Sequence, residues 1–99
     1  MKRPSKAYYI NTDGTYVIKT GHAILTGYWV GVDAATDVDV TIYNATSALD
    51  GNQVIPTTPH DAAKQQPMGF VDFPIECPIG LTVVVATIGT GGVEVFWHD

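Results

Sequence analysis

The chain has 99 residues, the length of one domain, and carries a formal net charge of −5. Its 12 Val, 12 Thr and 8 Ile stand against 3 Leu and 2 Met. That balance favours strands, because branched Cβ atoms suit a pleated surface and stiffen a helix. A lone cysteine, Cys77, excludes an internal disulfide framework, and no apolar run reaches the ~18 residues of a membrane span.

The charge is unevenly placed. Lys2, Arg3 and Lys6 make the first six residues basic, whereas all ten acids lie beyond them. An acidic body repels nucleic acid, whose phosphates need a basic patch. Residues 1–7 are expected to be a basic arm and residues 8–99 one β-domain. The segment after the arm is too short and polar for a signal-peptide core.

In chain order, Tyr8-Tyr9-Ile10 and Thr15–Lys19 flank Asp13-Gly14, the hairpin signal of strand, turn, strand. Ala23 to Val32 reads as a strand. By simple alternation Ala23, Leu25, Gly27, Trp29 and Gly31 share a face, the glycines leaving room for a large ring such as Trp29. Asp37 to Tyr43 alternates cleanly, with Val38, Val40 and Ile42 toward a core and Asp37, Asp39, Thr41 and Tyr43 opposite.

Gln53-Val54-Ile55 is a short strand stopped by Pro56. Thr58, Pro59 and Asp61 resemble a helix start, so residues 56–67 are expected as a turn or two of helix, ended by Pro67, or as an exposed loop. Met68–Phe73, Leu81–Ile88 and Val93–His98 are further strands. In the last, Val93, Val95 and Trp97 share one face. About eight strands at this spacing predict an all-β, single-domain antiparallel sandwich.

Candidate chemistry is sparse. His22, His60 and His98 have no metal-ligand spacing, and Asp33, Asp37, Asp39, Asp50 and Asn52 form no dense calcium loop. Cys77 sits beside Glu76, which raises a thiol pKa and blunts reactivity. Asn44-Ala45-Thr46 is a glycosylation tripeptide of the kind that arises by chance. No nucleophile elbow, phosphate loop or catalytic triad order is present, so neither catalytic residues nor a cofactor or metal is expected. Tyr28, Trp29, Tyr43 and Phe96 are the plausible interface rings.

Four segments carry a resemblance: Thr15 to Gly27 (Thr-x-Val-Ile-Lys-x-Gly-His-Ala-Ile-Leu-Thr-Gly), Val40 to Thr46 (Val-Thr-Ile-Tyr-Asn-Ala-Thr), Cys77 to Val84 (Cys-Pro-Ile-Gly-Leu-Thr-Val-Val) and Val93 to Trp97 (Val-Glu-Val-Phe-Trp). Over about residues 8–98 the chain resembles small all-β virion proteins of tailed bacteriophages. The resemblance implies a jelly-roll-like sandwich acting as a head decoration (cement) protein on the outer surface of the phage head. It implies a homo-oligomer, a trimer suiting threefold sites, bound to the major capsid protein. The arm residues Lys2, Arg3 and Lys6 would contact the capsid. The alternatives are a neck, tail or fibre component, or a carbohydrate-binding β-sandwich module that uses Trp29 or Tyr43.

Overall fold

The computed structural model describes residues 5–31, 38–47, 52–60, 66–69, 74–89 and 91–99. Nine strands follow in chain order: β1 (Lys6–Ile10), β2 (Gly14–Thr20), β3 (Ala23–Gly31), β4 (Val38–Tyr43), β5 (Gln53–His60), β6 (Gln66–Gly69), β7 (Ile75–Cys77), β8 (Gly80–Ala86) and β9 (Gly92–His98). Sheet A has the order β1-β9-β3-β6, with β7 also on β3, and sheet B the order β2-β8-β4-β5. β6 and β7 pair with successive stretches of β3, so the nine segments occupy eight strand positions.

All pairings are antiparallel and they nest: β1 with β9, β2 with β8, β3 with β6 and β7, β4 with β5. A long hairpin with this nesting, rolled so that β9 also meets β3 and β8 also meets β4, is a jelly roll. The expected antiparallel β-sandwich is the fold observed.

The core lies between the sheets. Sheet A contributes Ile10, Leu25, Tyr28, Val30, Val93, Val95 and Trp97, and sheet B contributes Val38, Val40, Ile42, Leu81, Val83 and Val85. The alternations of β4 and β9 place their apolar residues inward as expected. Thr41 keeps the expected outer parity, in register with Val84, yet it is buried there, and its hydroxyl is 2.7 Å from that of Thr57.

Three expectations are overturned. Asp13-Gly14 makes a turn but no hairpin: β1 pairs with β9 and β2 with β8, so the turn carries the chain from one sheet to the other. Asp13 holds that crossing by accepting the Ile88 N–H at Oδ1, 2.8 Å away. Residues 53–60 are one strand through Pro56 and Pro59, not a strand end followed by a helix start. β5 is an edge strand with two register irregularities against β4, the setting in which a missing N–H is tolerated. Within the segment expected as helix or loop, residues 61–65 lie outside the described residues, and Pro67 lies in β6. Of the stretch expected as a basic arm, residues 1–4 lie outside the described residues, and Lys6 and Ala7 lie in β1.

The third overturned expectation is the face of Trp29. The register of β3 against β9 shifts between Leu25 and Gly27, so Thr26 is an extra residue in the ladder. A bulge reverses the inward parity of everything beyond it. Ala23 and Leu25 point inward before it, Tyr28 and Val30 after it, and Trp29 points out at 41% exposure. Gly27 takes φ 156°, and the Thr26 hydroxyl lies 2.7 Å from that of Ser5.

This geometry fixes opposite outcomes for two adjacent rings. Tyr28→Ala is expected to destabilise the fold by about 3–5 kcal/mol in urea unfolding, as for other buried aromatics, and Trp29→Ala by about 1 kcal/mol or less. Uninterrupted alternation would demand the reverse order.

Candidate interaction surface

The outer face of sheet A carries the most exposed ring in the described chain. Across three strands the register aligns Tyr9 on β1, Glu94 on β9 and Trp29 on β3 in one row. The next row is Ala7, Phe96 and Gly27. Tyr9 is 61% exposed, and Phe96 is half-buried. Strands ~4.8 Å apart set the β1 and β3 backbones of this row roughly 10 Å apart, with Glu94 on the strand between them.

Small residues keep this face low. Gly31 and Gly92 pair directly. A Cβ at Gly92 would lie 2.5–2.9 Å from the Tyr9 ring, so that ring rests across bare backbone. The Trp29 indole Nε1 would be 3.9 Å from a Cβ at Gly31. The glycine spacing in the sequence signalled a ring over backbone, but the ring seated on glycine is Tyr9, and the glycine is Gly92. Tyr9 and Glu94 were missed because nothing local in the sequence reveals which strands become neighbours.

The other interface candidates are dispersed. Tyr28 is 1% exposed in the core, where burial raises its phenol pKa, and it presents no ring to a partner. Tyr43 is half-buried on the outer side of sheet B, in register with Thr82 and Gln53. Only Trp29 and Phe96 share a face.

Of the three capsid-contact cations, Lys2 and Arg3 lie outside the described residues, and Lys6 is committed to the body. Its Nζ is 3.1 Å from Asp99 Oδ2 and 4.7 Å from the centroid of the Trp97 ring. Lys19 on β2 reaches the same carboxylate at 2.8 Å and lies 5.9 Å from the same ring. This clasp ties a sheet A strand to a sheet B strand over Trp97, the one core ring at the margin of burial. At the same edge the Tyr8 and Tyr16 rings meet with centroids 6.3 Å apart.

Among the described residues, no group of three or more His, Cys, Asp or Glu side chains is placed to hold a metal ion. Asp33, Asp37 and Asp50 lie outside them, and Asp39 is half-buried. His22 Nε2 is 3.2 Å from Glu76 Oε1 at an exposed site. His98 Nδ1 is 3.0 Å from the Asp99 carbonyl oxygen, and His60 lies in β5. Asn44, the first residue of the glycosylation tripeptide, uses its Oδ1 to accept the Ile79 and Gly80 N–H groups at 2.8 and 3.4 Å. Comparison with protein families, curated proteins and solved structures gives no match for this chain.

Two groups have pKa values that yield tests. Hydrogen bonds from Lys19 and then Lys6 lower the Asp99 carboxyl from 3.8 to about 2. A carboxylate depressed in the folded state contributes stability that is complete above pH ~4 and lost as pH falls toward 2. In thermal unfolding, Asp99→Asn is expected to show a flatter pH dependence than the parent across that window and the same dependence above pH 5. Cys77 is buried, and its thiol is raised to about 11 by burial and by the Glu76 charge. Native protein at pH 8 should leave a disulfide-exchange reagent unreacted, with one thiol titrating on denaturation. Rapid labelling of the folded chain would contradict the placement.

Proposed function

We propose that this chain is a non-enzymatic structural protein of a phage virion, a head-decoration (cement) protein that works as an oligomer and docks on the assembled shell. The observation that carries the reading is the Tyr9–Glu94–Trp29 row with Phe96 beside it. Interface anchors are typically aromatic rings on rigid supports, surrounded by contacts that exclude water. A decoration protein requires such a surface and no reacting groups.

The residues that carry the resemblance to phage virion proteins lie largely in β2, β3, β4, β8 and β9, so they support the body of the protein rather than its partner. Jelly rolls serve viral shells and lectins alike, and fold alone does not choose between them. Charge speaks to the partner's class: a chain at −5 disfavours nucleic acid. A ligand that binds only the assembled shell stabilises it by mass action, and several linked copies raise avidity without new contacts.

Purified full-length protein should co-sediment with shells of the major capsid protein. Trp29→Ala should weaken that binding at least tenfold while leaving the far-ultraviolet spectrum unchanged. Removal of Lys2 and Arg3 should reduce binding most at low salt, where charge attraction is least screened. Absence of shell binding would sink the reading. A glycan-array signal abolished by Trp29→Ala would replace it with saccharide recognition on the same face.

A further inference from the structure

Four of the five strands that border the sandwich carry a feature that discourages pairing with another chain. β2 has a register shift between Val17 and Lys19. β5 contains Pro56 and Pro59 and two register irregularities. β6 is four residues long and includes Pro67, while β7 is three residues long, with Pro74 before it and Pro78 after it.

β1 has none of these. Its five residues pair with β9 without a shift, and it contains neither proline nor glycine. Its one charge, Lys6, is engaged by Asp99. Among the described residues no strand pairs with its other side. Among the described residues five large apolar side chains remain exposed, and three of them are Tyr8 and Tyr9 on β1 and Val17 on β2.

We propose that β1 is a self-association edge, pairing antiparallel with β1 of a second copy about a twofold axis at Tyr8. The sequence of the strand is complementary to itself in that register. Tyr8 meets Tyr8 on the inner side, Lys6 meets Ile10, and on the outer side Ala7 of each copy lies opposite Tyr9 of the other, a small residue beside a large ring. Directly opposed residues of an antiparallel pair share a face, so these combinations are in contact. No like charges are opposed, which matters for two copies that each carry −5. A different partner would need its own complementary strand, whereas a second copy already has one.

Identical strands paired antiparallel close on a twofold, so the product is a dimer in place of the threefold oligomer expected from shell symmetry. The inference deepens the oligomeric part of the proposed function, yet it stands on the strand edge alone and is tested without particles.

A five-residue ladder is short, so association is read at roughly 100 µM chain, in the range of small, weak interfaces. Light scattering of the full chain should approach twice the monomer mass. Tyr8→Lys should return it to monomer, and an equimolar mixture of Tyr8→Lys with Tyr8→Asp chains should regain the dimer through opposite charges. Tyr8 touches Tyr16, so circular dichroism accompanies each variant.

Tyr8→Cys provides a test that avoids a charged residue at the edge. Directly opposed Cα atoms lie about 4.5–5.5 Å apart in such a pair, within disulfide range, and Cys77 is buried. Mild oxidation of the folded Tyr8→Cys protein should yield a covalent dimer on a non-reducing gel. A parent chain that stays monomeric, a trimer mass, a dimer insensitive to Tyr8→Lys, or failure of Tyr8→Cys to cross-link would each overturn the proposal. Loss of shell binding with the dimer intact would instead count against docking alone.

Discussion

One extra residue in β3 determines what this protein shows to its surroundings. Ala23 and Leu25 are inward at one parity, Tyr28 and Val30 at the other, and only a frameshift between them lets all four be buried. Burying a large apolar side chain stabilises a fold by about 1.5–3 kcal/mol, whereas a bulge disrupts one step of the ladder. The balance therefore favours the bulge at Thr26, and Gly27 takes the positive φ beside it. Exposure of Trp29 is the consequence: Tyr28 fills the core, so the indole is delivered to the outer face next to Glu94 and Phe96.

This is also where sequence reading reaches its limit. Periodicity resolves β4 and β9 because each strand keeps one parity from end to end, and Val38, Val40, Ile42, Val93, Val95 and Trp97 are all buried. It fails on β3 because the parity change occurs inside a run of small and apolar residues that can alternate either way. Asp13-Gly14 identifies a turn correctly, but a turn residue has no information about whether the next strand joins the same sheet. Pro56 reads as a strand stop and Pro59 as a helix start, because backbone N–H groups are needed on both sides of a central strand. At an edge that requirement lapses, and edge position is a property of the whole topology. The site was legible only in part for the same reason: Trp29 and Phe96 were visible as rings, whereas the Tyr9–Glu94–Trp29 row exists only once β1, β9 and β3 are neighbours.

A small sandwich has little interior and must close its margins with what the surface provides. Here the open side at β1 and β2 is closed by amphipathic groups. Lys6 and Lys19 lay their charges over Trp97 and share the Asp99 carboxylate, while Tyr8 and Tyr16 meet across the gap between the sheets. Such contacts are individually weak when exposed, because solvent screens the ions. Their value lies in coupling strands from different sheets, so that the rolled hairpin cannot open at β1 without also releasing β2.

The clasp and the exposed aromatic face share the same strand. Lys6 is drawn inward to Asp99, which removes the one cation from the β1 edge, and Tyr9 is drawn outward onto Gly92. Pairing β1 with its copy therefore joins two outer faces at their aromatic margins: Glu94 and Tyr9 of one copy continue into Ala7 and Phe96 of the other. In the proposed dimer the two Trp29 side chains would lie on one continuous sheet at a fixed separation. A rigid pair needs no linker, so in the proposed dimer engagement of one face would hold the second at a high effective concentration over the same target. On the proposed reading, that coupling is what would let a surface with only two or three rings per chain hold a partner durably.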